Sequence, residues 1–248
     1  MSAEKKKSQG VSKKNNKRKV TTGIKFLDKI TDGGFEKNSS NLIVGDTGSG
    51  KTILGVQFLI EGLLKDESCL YLTFEEKKEN FYENMQKLGW NLEALEKKGK
   101  FFFVQYDPKK VKTMLEEGGG IIENIIIKKN ITRLVMDSIT SFIILFDKEI
   151  EKREAVLSLF SMLKKWNCTT FLIYEGDPLR SDVDTQVLEF ESDCIIFLYF
   201  LRDKKQRNRF LEVIKMRGSK HSKEIYPFTI AKGIQLSTNP FIGTLKDN

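Results

Sequence analysis

Eight consecutive residues, Gly45-Asp46-Thr47-Gly48-Ser49-Gly50-Lys51-Thr52, carry a chemistry in their types and spacing. A glycine, four residues, then glycine, lysine and threonine make a loop whose backbone N–H groups can converge on a phosphate chain. The lysine then reaches the outer phosphates and the threonine hydroxyl reaches a magnesium ion. The surroundings fit that use. The loop follows the apolar run "NLIVG" (41–45) and opens an apolar helix from Lys51 to Leu64, so the helix N-terminus adds its own N–H groups, with Ile53 in the first turn.

A metal on a triphosphate needs a carboxylate behind it. Asp137, closing the apolar run "RLVMD" (133–137), fills that place, and also stands where "DSITSF" would need a helix N-cap. Hydrolysis further needs a group to orient or deprotonate water, and Ser138, which follows Asp137, is no acid. "LTFEE" puts Glu75 and Glu76 beyond the end of the strand that follows the loop's helix, where α/β sheets gather ligands; Glu75 is in addition a candidate metal neighbour. One of the two can act while the other tunes it. A solvated helix start in "EEKKEN" is the plain alternative.

Far along the chain, "EVIKMRGSKHSKEI" (212–225) sets Lys215 and Arg217 two residues apart on a strand. They share one face, leaving Ile214 and Met216 on the other. Paired cations aimed at one place suit a localised, highly charged anion, whereas cations on an exposed strand edge would only protect it. Ser219 and His221, the chain's only histidine, follow at once.

These groups need a scaffold. Strand-like runs at 41–45, 69–74, 101–106, 133–137 and 169–174 alternate with helical stretches at 51–64, up to about Leu88, near 121–130 and near 149–166. Continuous apolar strands separated by helices predict an α/β fold with a mainly parallel central sheet flanked by helices. After residue 193, "CIIFLYFLR", "RFLEVIKM", "EIYPFTI" and "GIQLS" are joined by short links, which predicts an antiparallel C-terminal extension of that sheet. "EEGGGII" (116–122) breaks a helix for no reason visible in the sequence.

Composition narrows the classes. The chain of 248 residues carries a formal charge of +8, but eight cations against Glu4 alone in residues 1–20 account for +7 of it. The body is close to neutral, and residues 1–19 read as a disordered basic tail ahead of one domain spanning 20–248. No apolar run approaches the roughly 20 residues of a membrane span, and no signal sequence is visible, so a cytoplasmic protein is expected. Cys69, Cys168 and Cys194 lie in or beside apolar stretches without metal-type spacing and are expected as buried thiols.

The motifs "TGIKFLDKITDGGF" (22–35), "GDTGSGKT", "FEE" (74–76), "LGW" (88–90), "VMDS" (135–138) and "KMRGSKHS" (215–222) occur together and in this order. The ordered set resembles the KaiC-like group of RecA-superfamily P-loop ATPases over about Val20 to Leu236, in the single-domain form common in archaea. The resemblance implies a RecA-like fold and ATP with Mg²⁺ bound between neighbours of a ring, usually a homohexamer, in a regulatory or signalling role. It further implies catalysis by Glu75 and Glu76, phosphate and metal contacts by Lys51 and Thr52, and Trp90 near the adenine. It implies that Lys215 and Arg217, with Met216 between them and Ser219 and His221 after them, contact the nucleotide of the adjacent subunit. The clock protein of the group has two such domains and a Ser-Thr pair before the strand matching 194–201; here that stretch reads "VLEFESD", so autokinase activity is not expected.

Two other functions compete. A DNA-binding protein of recombination or repair, resembling the RadA paralogues, would use axial loops, yet the segment 176–193 has six acids against Arg180 and should repel phosphodiesters. Nucleic acid would then meet the tail, if that is more than a solubilising extension. A nucleotide-switched scaffold with little turnover is the other, and the paired glutamates argue against it.

Overall fold

The computed structural model describes residues 19–107, 110–180, 183–203 and 206–245, without the side chains of Lys112, Val183–Thr185 and Asp203. Residues 1–18, nearly all of the basic tail, lie outside the described residues, and so does the nucleic-acid contact assigned to them. Lys19, counted with that tail, already belongs to the first strand, β1 (Lys19–Val20).

After β1 come α1 (Lys25–Ile30), β2 (Phe35–Glu36), β3 (Ser40–Gly45), α2 (Lys51–Leu64), β4 (Ser68–Thr73), α3 (Lys78–Lys87), α4 (Leu92–Lys97) and β5 (Phe101–Gln105). Then follow α5 (Val111–Glu116), α6 (Gly120–Lys129), β6 (Ile131–Asp137), α7 (Ile139–Ile143), α8 (Glu149–Trp166), β7 (Thr169–Glu175) and α9 (Val183–Glu191). The chain closes with β8 (Cys194–Asp203), β9 (Gln206–Met216), β10 (Ile225–Ile230) and β11 (Ile234–Leu236).

A nine-stranded sheet runs in the order β11-β10-β9-β8-β3-β7-β6-β4-β5. The pairs from β8 through to β5 are parallel, and those joining β8, β9, β10 and β11 are antiparallel, the mixed sheet expected from the sequence. β1 and β2 form a separate antiparallel ribbon.

Period-two alternation divides the core. Leu42, Val44, Leu70 and Leu72 face one layer with Leu159, Leu163 and Leu188 from α8 and α9. Ile43, Tyr71, Val135 and Ile173 face the other, under Leu54, Phe58 and Leu59 of α2 and Phe81 of α3. Strands sandwiched in this way must be apolar on both faces, which is why they read as unbroken apolar runs. The three cysteines are buried, Cys69 and Cys194 within these strands and Cys168 just before β7, as expected. Among the described residues no helix is long and apolar enough to cross a membrane.

Three local features refine the sequence reading. The glycine break separates α5 from α6, and Gly119 (φ 118°) passes so close to Trp166 that a Cβ there would lie 2.8 Å from the indole. Half of the acidic segment 176–193, expected as a loop, is the helix α9, whose Leu188 is buried. A buried cation that carries no motif organises the second layer. Arg133, 1% exposed, takes both oxygens of Glu67 at 2.7 and 3.0 Å, donates to the carbonyls of Thr21 and Phe58, and stacks on the Phe58 ring.

Candidate functional site

The phosphate-type loop leaves β3 at Gly45 and enters α2 at Lys51. Its turn closes through Ser49 N–H on the Asp46 carbonyl at 3.1 Å. The Lys51 ammonium lies between the carbonyls of Gly45 (2.7 Å) and Asp46 (2.8 Å). Burial pushes its pKa down, opposed by the charges of Glu175, Asp137 and Asp46.

Behind the helix start, one oxygen of Asp137 accepts from Thr52 Oγ1 at 2.7 Å and from the Tyr71 hydroxyl at 2.6 Å. Burial raises the Asp137 carboxyl above its ordinary range, while those two bonds and Lys51 pull the other way. Burial and the adjoining carboxylate hold the Tyr71 phenol neutral. The peptide bond from Asp137 to Ser138 is cis. A hydroxyl and a carboxylate presented together are hard oxygen donors of the kind Mg²⁺ takes, and the buried Ser49 hydroxyl of the same loop has no partner among the described residues. The donor set fits a nucleotide-bound magnesium, which Thr52 would hold with Asp137 behind it.

Glu75 and Glu76 are turned over the end of β4 by Thr73, whose hydroxyl accepts the N–H groups of both at 3.3 and 3.2 Å. Glu75 is exposed and accepts from Ser141 on α7. Glu76 is half-buried; burial raises its carboxyl, the negative charge of Asp137 adds to the effect, and a hydrogen bond with Asn84 opposes it.

One acid at this edge escaped the sequence reading. Glu175 ends β7 in register with Gly45, its N–H donates to Thr140 Oγ1 at 2.7 Å, and its carboxylate accepts from Thr47 within the loop. The ends of β3, β4, β6 and β7 thus bring together Lys51, Thr52, Glu75, Glu76, Asp137 and Glu175, the edge at which parallel α/β sheets hold ligands. Tyr71 was missed too, since in "CLYLTF" it reads as one more core residue. Trp90 sits farther off, packed against the β10–β11 turn beside Gln57 of α2, where a Cβ on Gly233 would lie 3.1 Å from the indole.

The second basic group is not brought to this loop. Lys215 pairs with Ile195, which pairs with Leu42, three residues before Gly45 on β3. That is about 10 Å down the sheet. Lys215 Nζ donates to the carbonyls of Glu189 (2.7 Å) and Phe190 (3.2 Å) at the end of α9. Arg217, one residue beyond the strand, donates to Phe190 O at 2.5 Å and to Glu191 O at 3.4 Å.

The simple alternation expected of this strand does not hold. The register shifts opposite Ile195 and Ile196, leaving Ile214 40% exposed while Met216 enters the core with Val213. A bulge of this kind adds one residue and re-aims those after it. Met216 therefore offers only backbone to any ligand. Ser219 donates to Glu36 at 2.9 Å and accepts from Lys19, so the β1–β2 ribbon anchors the loop that carries Arg217 and the half-exposed His221.

Residues 20–239 match the family model described as "ATPase: KaiC". The chain belongs to the KaiC ATPase family. It is 32% identical over 231 residues to the circadian clock oscillator protein KaiC of Thermostichus vulcanus, covering 88% of this chain and 44% of the relative. It is 30% identical over 226 residues to the circadian clock protein KaiC3 of a Synechocystis strain, covering 87% and 45%. The chain thus spans less than half the length of these relatives. A crystal structure of a KaiC-like protein from the hyperthermophilic archaeon Pyrococcus horikoshii OT3 superimposes with a TM-score of 0.79 at 31% identity, covering 89% of this chain and 99% of that one. The KaiC-type domain described here is accordingly a P-loop ATPase domain of RecA-like fold.

Proposed function

We propose that this KaiC-type domain binds ATP with Mg²⁺ and hydrolyses it, and that the ATP lies between protomers of a ring, with a hexamer favoured. The observation that carries the hydrolytic reading is the gathering of Lys51, the Thr52–Asp137 pair and the Glu75–Glu76 pair on one sheet edge. Lys51 holds the β and γ phosphates, and bound Mg²⁺ offsets their charge. Glu76, whose carboxylate burial and the charge of Asp137 make the more basic, is the base: ionised, it takes a proton from water as the water oxygen bonds to the γ phosphorus and the bond to the bridging oxygen of ADP breaks. Glu75, held by Ser141, stands beside it as the orienting member. The trans contact is supported by Lys215 and Arg217 lying down the sheet from their own loop, so that a neighbour's nucleotide is the more accessible target. A regulatory role, with turnover driving or timing a protein interaction, follows the family.

The test replaces Glu75 and Glu76 together by Gln. Turnover should vanish while ATP still binds and drives assembly, read by steady-state hydrolysis, equilibrium binding and mass measurement with and without ATP and Mg²⁺. Undiminished hydrolysis in that double variant would remove the catalytic assignment, and a monomer under all conditions would remove the ring.

A further inference from the structure

We propose that Arg209, on the β8–β9 hairpin, is a positioning residue for the phosphate loop, setting the loop's affinity for a triphosphate from outside it. This rests on the reading of the loop as an ATP site and adds to it a residue from a different part of the fold. β8 and β9 run past the end of β3: Gly45 pairs with Leu198, and the hairpin continues through Arg202 and Arg207. Its overhanging part therefore stands beside the loop. There Phe200 and Arg209 are cross-strand partners.

Two contacts tie this pair to the loop. The guanidinium of Arg209 lies 4.2 Å from the centre of the Phe200 ring, and its Nε donates to the carbonyl of Gly48 at 2.9 Å. The ring itself lies against Gly48, where a Cβ would come within 3.3 Å of it and where φ is +79°. Any side chain at residue 48 would thus face both a strained backbone and a collision with Phe200.

The consequence is local and mechanical. The peptide plane between Gly48 and Ser49 is held at both ends, its carbonyl by Arg209 and its N–H by the Asp46 carbonyl. That same Asp46 carbonyl receives Lys51. A peptide fixed in this way cannot flip its carbonyl toward the phosphates, and a loop ordered before binding loses less entropy on binding. A charged donor makes the stronger class of hydrogen bond, and partial desolvation of the guanidinium, which lowers its pKa, strengthens it further. Because the loop is ordered equally for ground state and transition state, the effect is on binding rather than on the chemical step.

Arg207 supplies a matched control, since it lies over the same ring at 5.2 Å and has no bond to the loop among the described contacts. In the full chain, Arg209→Met keeps a long apolar stem against Phe200 and removes the donor. ATP affinity, measured with Mg²⁺ by equilibrium binding, should fall about tenfold, equivalent to about 1.4 kcal/mol. KM should rise with it, while kcat stays within about twofold. Arg209→Lys, whose ammonium can reach the same carbonyl, should recover most of the loss, and Arg207→Met should bind as the parent does. Thermal unfolding of each variant separates a loop effect from a general loss of fold, and Arg209→Lys carries the test if Arg209→Met does not fold. Parent-like affinity in Arg209→Met, or an equal loss in Arg207→Met, overturns the inference; so does an unfoldable Arg209→Met with an Arg209→Lys no better than one-tenth of parent affinity. Failure of the parent chain itself to bind ATP more tightly than Lys51→Ala overturns instead the reading on which it rests.

Discussion

Lys215 and Arg217 converge on one acceptor, the carbonyl oxygen of Phe190, at 3.2 and 2.5 Å. That oxygen lies in the last turn of α9, where unpaired carbonyls and the helix dipole favour cations. The helix end holds both side chains together and supplies an anion surrogate that a phosphate would have to outcompete.

If these cations serve a neighbour's site, two inactive chains should complement one another. A chain with Lys215→Ala and Arg217→Ala, mixed with a Lys51→Ala chain, restores hydrolysis at the interfaces where an intact loop meets intact cations. Loss of a trans cation costs about 10³-fold or more in turnover, so even a small fraction of restored sites stands out. Demonstrated co-assembly with no gain in activity would sink the trans assignment.

Acid should abolish the proposed hydrolysis earlier than an ordinary glutamate would. As the proposed base, Glu76 would work ionised, and its folded-state pKa is raised by burial and by Asp137, so activity should be lost as pH falls through a midpoint above the ordinary value of about 4.3. Asn84→Ala removes a hydrogen bond that favours the ionised form, and should move that midpoint higher still. A kcat profile at saturating ATP and Mg²⁺ reads both; an acid limb at or below the ordinary value counts against Glu76 as the base.

Glu175 places a negative charge beside a loop read as binding another. Glu175→Gln keeps an oxygen for the Thr47 hydroxyl and removes the charge, so ATP should bind about threefold more tightly at low salt. The advantage should shrink as ionic strength rises. Titrations at two salt concentrations check this, and unchanged or weaker binding contradicts it.

The Arg133–Glu67 pair couples stability to pH. Burial opposes ionisation of Glu67, but the hydrogen bonds and charge of Arg133 outweigh it and hold the carboxyl below the usual range. The stabilisation is therefore present above the unfolded-state pKa of about 4.3 and is lost as pH falls through the lower folded-state value. Glu67→Ala leaves the buried guanidinium without its carboxylate and should cost about 3 kcal/mol in urea unfolding at neutral pH. A loss under about 1 kcal/mol would show that backbone carbonyls satisfy Arg133 unaided.

What the sequence showed and hid follows physical lines. Helix α8 was legible near its observed bounds, and the structure shows what fixes them: acids at Glu149 and Glu151, cations at Lys164 and Lys165 and a left-handed Asn167. The meeting of Lys51, Thr52 and Asp137 at one sheet edge was legible because the loop's spacing is unusual and its strand-to-helix setting visible. Helix α9 was hidden by its acids, which made a half-buried helix look like a solvated loop. Tyr71, Glu175 and Arg209 were hidden because each acts through a neighbour brought close only by the sheet. The bulge at Ile214 was hidden because strand alternation is a local rule and the extra residue appears only when β9 is laid against β8.

The far margin of the sheet has a consequence of its own. β5 pairs only with β4, and its "FFFVQ" run ends the sheet with backbone groups that have no further strand among the described residues. Such a margin is a template for a strand from another molecule, and shortness and lysine are the usual defences. Here the strand has five residues, and Lys129 lies 5.6 Å from the Phe102 ring. Lys129 belongs to α6, which follows β5 in the chain. The ammonium that lies over the phenylalanine margin therefore arrives only after the strand itself has been made, so during synthesis the margin is without that cation for as long as α6 is missing.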